Sequence, residues 1–191
     1  MYKHIVVDQR DVQRKGGLYA KYPTSYIIKT IVNDLNINKI LDVTFGRGRF
    51  YRLCRKYIDL LIASDPVKRE WITYPDRFYQ MTVWQLYNHV KRGDVELRSI
   101  ECVVVDPPNW NKTRYNKRDE YNFLIGTPEL IIEYAIKLAK LINSKYLLLH
   151  YNEQLYHNAI LYLVEYMWFA RYLYTENKNI SYYILYNVDK L

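Results

Sequence analysis

The sequence predicts an α/β fold in a single domain: a mostly parallel sheet with helices on both faces and an antiparallel hairpin at its carboxyl end. Three observations predict it. Short apolar runs alternate along the chain with helix-period segments, the pattern of parallel strands joined by crossover helices. The last two runs flank a tight polar turn, Glu176-Asn177-Lys178-Asn179, as the arms of a hairpin do. The chain has 191 residues with 50% hydrophobic, enough to bury a core within one domain, and no repeat or low-complexity linker divides it.

Each element follows in order. Residues 1–20 are polar and read as an irregular segment ending in Gly16-Gly17. Thr24 or Ser25 is positioned to cap a helix through Ile27, Ile28, Ile31, Val32 and Leu35. Lys39 to Val43 reads as a short buried strand that stops at a glycine turn, with a helix from Phe50 to Tyr57 behind it. Leu60 to Ser64 is a second strand, closed by Asp65-Pro66, and Phe78 to Thr82 a weaker third, followed by a helix from Val83 to Lys91. Ile100 to Val105, apolar and β-branched, is the strongest strand and ends on two prolines. Residues 111–121 are charged and read as a loop. Thr127-Pro128-Glu129 opens an amphipathic helix to Leu141, with Pro128 in the first turn, where its missing N–H costs nothing. Tyr146 to Tyr151 is a fifth strand, Glu153 to Trp168 a helix, and Arg171 to Thr175 with Ser181 to Asn187 the hairpin. That makes seven strands. Ligands of such sheets bind at the carboxyl ends of the strands, near the point where the strand order reverses.

Composition excludes several classes. No stretch approaches the ~20 apolar residues of a membrane span, and the charged N-terminal stretch has no apolar signal block. A cytoplasmic protein is therefore expected. Cys54 and Cys102 form neither a disulfide framework nor a zinc site and read as buried free thiols; His4, His89, His150 and His157 lack metal-ligand spacing, so no metal is expected. The net charge of +8 points to a polyanionic partner, nucleic acid first. With 22 tyrosines against six glycines and six prolines, the composition suits a compact fold from a hot environment or a virus.

Three segments carry chemistry, each at the end of a strand. The first is Asp42-Val43-Thr44-Phe45-Gly46-Arg47-Gly48. Its glycines let the backbone turn sharply and approach a ligand. The acid beside them suits a cationic amine or hydroxyls and repels a pyrophosphate, and the Lys-Ser/Thr ending of a phosphate loop is missing. A plain tight turn is the alternative. The second is Asp65, 17 residues after Gly48, near the spacing at which an acid accepts from ribose hydroxyls; a turn or helix-cap residue is its alternative. The third is Asp106-Pro107-Pro108-Asn109-Trp110. Proline fixes φ and lacks a donor, so the Asp carboxylate and a Pro carbonyl form a stiff pair of acceptors. Such a pair can hold an exocyclic NH2 by both hydrogens and aim its lone pair at an electrophile. Trp110 offers a face on which a displaced base could stack. An ordinary Pro-Pro turn is the alternative.

Together these segments resemble the class I S-adenosylmethionine-dependent methyltransferases, and more narrowly the amino-methyltransferases that modify adenine N6 or cytosine N4. DVTFGRG resembles the family's first motif, Asp65 its second-strand acid, Asp106 to Asn109 its Asp-Pro-Pro-aromatic motif, and Tyr22-Pro23-Thr24-Ser25 its N-terminal cofactor-flanking motif. The resemblance implies one Rossmann-like methyltransferase domain over residues 1–191, with S-adenosylmethionine as cofactor. It implies that Tyr22, Thr24, Asp42, Thr44, Gly46, Gly48, Asp65, Met81 and Thr82 contact the cofactor, with the backbone near Gln80 to Thr82 edging the adenine. It implies that Asp106, Pro107, Pro108 and Asn109 form the catalytic corner. The loop that follows supplies Lys112, Arg114, Lys117 and Arg118 for phosphates and Trp110 and Tyr115 for stacking, and reads as the nucleic-acid face; a solvated surface loop is the alternative. DNA is the expected polymer ahead of RNA. Two departures stand out. Asn109 occupies the place of the family's aromatic residue, which leaves the base open and keeps a non-catalytic nucleic-acid-binding relative in view. The chain has no room for a separate target-recognition domain, so recognition falls to loops or to a second subunit, as in a homodimer.

Overall fold

The computed structural model describes residues 4–7, 22–107, 126–152, 168–173 and 180–190. Its elements are β1 (His4–Val7), α1 (Pro23–Leu35), β2 (Lys39–Asp42), β3 (Leu60–Ser64), β4 (Arg77–Tyr79), α2 (Val83–Arg92), β5 (Cys102–Val105), α3 (Pro128–Leu141), β6 (Tyr146–Asn152), β7 (Trp168–Leu173) and β8 (Ile180–Asn187). They build one eight-stranded sheet in the order β1-β7-β8-β6-β5-β2-β3-β4. Strand β8 runs antiparallel to both β6 and β7, and every other pair is parallel.

The middle residues of the central strands are apolar because both faces of the sheet are covered. Alternate residues of one strand enter opposite cores. Leu41, Ile62, Val103, Val105, Leu147 and Leu149 pack with Val83 and Leu86 of α2 and with Ile131, Ile132, Ala135 and Leu138 of α3. Ile40, Leu61, Ala63, Cys102, Val104 and Leu148 pack on the other face, with Ile27, Ile28, Ile31 and Val32 of α1 and with Tyr51 and Cys54. Cys54 and Cys102 are free and buried. Among the described residues no helix is long and apolar enough to cross a membrane.

Four expectations need correction. The sheet has eight strands, not seven, because β1 lies in the segment read as irregular and pairs in parallel with β7. Its Ile-Val-Val run is β-favouring but short, and the unpaired edge of β7 supplies the hydrogen bonds it lacks alone. The helix expected from Phe50 to Tyr57 is two 3-10 turns, Arg49–Tyr51 and Arg55–Tyr57. There the Leu53 N–H is taken by Ser25 Oγ at 2.8 Å, while Cys54 and Tyr57 close i+3 bonds onto Tyr51 and Cys54 carbonyls. Ser25 therefore serves the neighbouring segment and does not cap α1, which starts at Pro23 with no side-chain cap. Strand β7 begins at Trp168, three residues before its expected start at Arg171 and on the last residue of the expected helix; the rest of that helix and the turn 176–179 lie outside the described residues.

The order of strands sets the location of the site. The chain leaves β2 toward β3 and β4, then returns through α2 to β5 on the opposite side of β2. The carboxyl ends of β2 and β5 thus flank the switch point, where connecting segments diverge and leave a crevice.

Candidate active site

The glycine turn follows β2. Gly46 and Gly48 adopt φ of 56° and 71°, in the left-handed region. At Gly48 the need for glycine is steric as well: a Cβ would lie 2.6 Å from the Thr73 carbonyl oxygen and 2.7 Å from Phe45 Cζ. Asp42 ends β2 and is buried. Its Oδ1 accepts from the Thr44 N–H at 2.9 Å and its Oδ2 from the Tyr51 hydroxyl at 2.8 Å. Burial pushes the Asp42 carboxyl up to about 7, and it also raises Tyr51. Asp65, at the end of β3, is turned beneath the same loop, where Oδ2 accepts from Gly46 N–H and Oδ1 from Val67 N–H, each at 2.9 Å. It is buried, which raises its pKa, and its immediate work is to clamp the glycine turn.

Asp106 lies one residue beyond β5. The parallel register pairs Asp42 with Val104, so two residues on, Thr44 comes opposite Asp106. The Asp106 N–H donates to Thr44 Oγ1 at 2.6 Å, and the Thr44 hydroxyl lies 3.4 Å from Asp42 Oδ1. The first and third sequence segments are therefore tied through one threonine. On the other side of β5, the register pairs Val105 with Leu149 and brings His150 level with Asp106. His150 Nδ1 lies 2.8 Å from Asp106 Oδ1. A carboxylate only accepts, so the tautomer that fits carries its proton on Nδ1.

Two cavities meet at these residues. The larger, about 630 Å³, is lined by Tyr22, Thr24, Ser25, Arg49, Phe50, Arg52, Ile72, Asp106 and His150. The smaller, about 160 Å³, is lined by Asp42, Thr44, Phe45, Gly46, Arg47, Arg49, Phe50 and Asp106. They share Arg49, Phe50 and Asp106. The larger falls within the ~300–1,000 Å³ of small-molecule sites. Exposed Arg49 and Arg52 rim it, with the Arg52 guanidinium 3.9 Å above the Tyr22 ring.

The expected site residues thus divide. Tyr22, Thr24, Asp42, Thr44, Gly46 and Asp106 come together around the two cavities, with Gly48 and Asp65 shaping the turn beneath. Pro107 is buried at the end of β5. Thr82 caps α2 in a reciprocal box with Gln85, and the Met81 carbonyl accepts from Ser64 Oγ at 2.7 Å; neither lines the two cavities. Pro108, Asn109, Trp110, Lys112, Arg114, Tyr115, Lys117 and Arg118 lie outside the described residues. His150 was missed by reasoning from ligand spacing alone. The available signal was its place near the carboxyl end of the strand beside the one that leads to Asp106.

No protein-family profile matches the chain, and no curated protein matches it in sequence. Its fold does match solved structures. The N-methyltransferase NodS from Bradyrhizobium japonicum, in complex with S-adenosyl-L-homocysteine, aligns with a TM-score of 0.57 at 9% identity, over 88% of this chain and 87% of that one. An rRNA methylase from Streptococcus thermophilus aligns at 0.53 and 8% identity, over 89% and 95% of the two chains. A putative DNA modification methyltransferase encoded within an Escherichia coli prophage aligns at 0.50 and 12% identity, over 80% of this chain and 47% of that one. The chain has the α/β fold of these methyltransferases.

Proposed function

We propose that this protein is an S-adenosylmethionine-dependent methyltransferase that modifies an exocyclic amino group of a nucleic-acid base, with adenine N6 or cytosine N4 of DNA as the first substrates to assay. The observation that carries the reading is the juxtaposition of Asp106 with the glycine turn: its N–H is bound by Thr44, and its carboxylate borders the cavity that Asp42 and Gly46 also line.

The residues present fit the cofactor. Gly46 lines the smaller cavity without a Cβ, and three acids gather at the ends of adjacent strands, an arrangement that favours a cation. Asp42, Thr44 and Gly46 would hold the methionine end and Tyr22 and Thr24 would flank it. Asp65 would meet the ribose with the lone pairs its two backbone bonds leave over. Bound there, S-adenosylmethionine would supply an electrophilic methyl group, which the amino nitrogen would take with loss of the C–S bond and of one proton to solvent. Asp106 would accept one amine hydrogen and the Pro107 carbonyl the other, so that the nitrogen lone pair faces the methyl carbon. Trp110 and the basic residues of the segment 111–121 would hold the displaced base and its backbone.

The test is mass spectrometry of nucleosides from DNA and RNA incubated with cofactor and protein, beside calorimetry of cofactor binding. The reading expects one N-methylated nucleoside, absent with Asp106→Ala while cofactor binding is kept. Product formed equally by Asp106→Ala would overturn the assigned role, and no heat of cofactor binding to the intact chain would overturn the function.

A further inference from the structure

We propose that His150 is a positioning residue that fixes the Asp106 carboxylate for the target amine; the inference rests on the function proposed above. His150 follows Leu147, Leu148 and Leu149, all buried, at the end of β6. Its ring is enclosed edge-on by Phe50, with centroids 5.4 Å apart, and is tilted over Tyr183 at 4.6 Å. An apolar ring would satisfy that packing without penalty. A histidine placed there for its own sake would have partners on both nitrogens. Here Nε2 is buried with no hydrogen-bond partner, so the chain bears the cost of an orphaned polar atom in order to present Nδ1 to Asp106.

That bond has a geometric consequence. An Asp at the end of a strand can rotate about two side-chain torsions. The contact of Nδ1 with Oδ1 at 2.8 Å removes that freedom and occupies one carboxylate oxygen. The other, Oδ2, has no partner among the described residues, while Asp106 lines both cavities and its side chain is 37% exposed. One oriented acceptor is then left for one N–H of the amine. His150 borders the larger cavity, but its Nε2 is sealed from water and its Nδ1 is taken by Asp106, so it has no polar atom to offer substrate. It acts through Asp106, whose backbone is held from the opposite strand by Thr44.

Two variants separate positioning from packing. His150→Phe keeps a ring between Phe50 and Tyr183 but has no donor. His150→Asn keeps a donor attached at Cγ, as Nδ1 is. In single-turnover methyl transfer with saturating cofactor, His150→Phe should lower the rate about 10- to 100-fold, the scale of a displaced catalytic group. Calorimetric cofactor affinity should stay unchanged, and His150→Asn should recover most of the rate. Equal rates for wild type and His150→Phe, or equal losses in both variants, overturn the inference. A readout independent of turnover is 15N NMR of histidine-labelled wild-type protein. His150 should appear as the Nδ1–H tautomer, and Asp106→Ala, which removes the acceptor, should abolish that preference. An Nε2–H tautomer in the wild type overturns the inference even if neither variant folds. Absence of cofactor binding by the wild type overturns the functional reading and this inference with it; an active wild type matched by His150→Phe overturns this inference alone.

Discussion

Gly48→Ala tests whether the glycine turn is built to a close tolerance. Two costs are expected, and the structure separates them. The first is backbone strain: φ at Gly48 is 71°, where an L-residue is disfavoured by about 1–2 kcal/mol. The second is overlap. The new Cβ would sit 2.6 Å from the Thr73 carbonyl oxygen and 2.7 Å from Phe45 Cζ. The carbonyl belongs to backbone, and Phe45 is itself stacked on Tyr51, so neither yields cheaply. Overpacking of this kind costs about 1–3 kcal/mol. Gly93 supplies the internal control. Its φ is 82°, and a Cβ there meets nothing within 4 Å, so Gly93→Ala carries the strain alone. Chemical denaturation of the wild type and both variants should show Gly93→Ala destabilised by about 1–2 kcal/mol. Gly48→Ala should be destabilised by about 1–3 kcal/mol more, which in a chain of this size separates the midpoints of the two variants in a parallel thermal melt by roughly 2–12 °C. Equal destabilisation of the two variants would refute the steric argument and make the turn an ordinary one.

Asp106→Ala should reduce methyl transfer at least about 100-fold with cofactor affinity kept, as read by label transfer and calorimetry. Asp42, held at about 7 against an ordinary 3.8, binds its proton more tightly folded than unfolded. Its stabilisation is therefore complete below about pH 4 and is lost as pH rises to about 7, on the order of 4 kcal/mol, and Asp42→Asn should flatten that limb in urea unfolding measured across the window. Arg49→Ala with Arg52→Ala should weaken nucleic-acid binding and reduce the slope of log affinity against log salt by about 2, as read by anisotropy titrations; an unchanged slope would remove that rim from the binding face.

The strands that were legible in the sequence are the ones covered on both faces. Leu60 to Ala63 and the valines at 103–105 have no polar position to break the run, so their burial is written in composition. Helix α3 was legible because Thr127 and Pro128 mark its start, and Thr127 Oγ1 does accept the Leu130 N–H, at 3.3 Å. What was not legible depended on partners distant in sequence. Strand β1 exists as a strand only through its pairing with β7. The segment after the glycine turn has helical period, but its Leu53 N–H answers to Ser25, 28 residues earlier. The contact of His150 with Asp106 spans 44 residues and follows from strand order, not from spacing. Asp65 was legible as an acid ending a strand, but not the direction of its oxygens, which depends on where the Gly46 and Val67 N–H groups point.

The electrostatics of the site argue for two ligands of opposite charge. Parallel strands bring Asp42, Asp65 and Asp106 to one end of the sheet, where the last of them borders both cavities. Burial is the main cause of the raised Asp42, and the neighbouring Asp106 and Asp65 add like-charge repulsion. An acid cluster of this kind opposes folding unless something relieves it, and a cationic ligand entering the crevice would do so. The rim carries the opposite sign: Arg49 and Arg52 are exposed around the larger cavity on a chain of net charge +8. A small cation is thus favoured inside and a polyanion outside, with Asp106 at the boundary between them. That division is what transfer of a methyl group from a sulfonium to a base on a phosphate backbone requires. It also predicts that salt should weaken the two ligands unequally. Contacts to the exposed rim are screened over about 10 Å at 0.1 M, whereas those to the buried acids are screened much less. Cofactor affinity should therefore change little between low and moderate salt while nucleic-acid affinity falls steeply, and parallel loss of both would place the two ligands in one solvent-exposed groove.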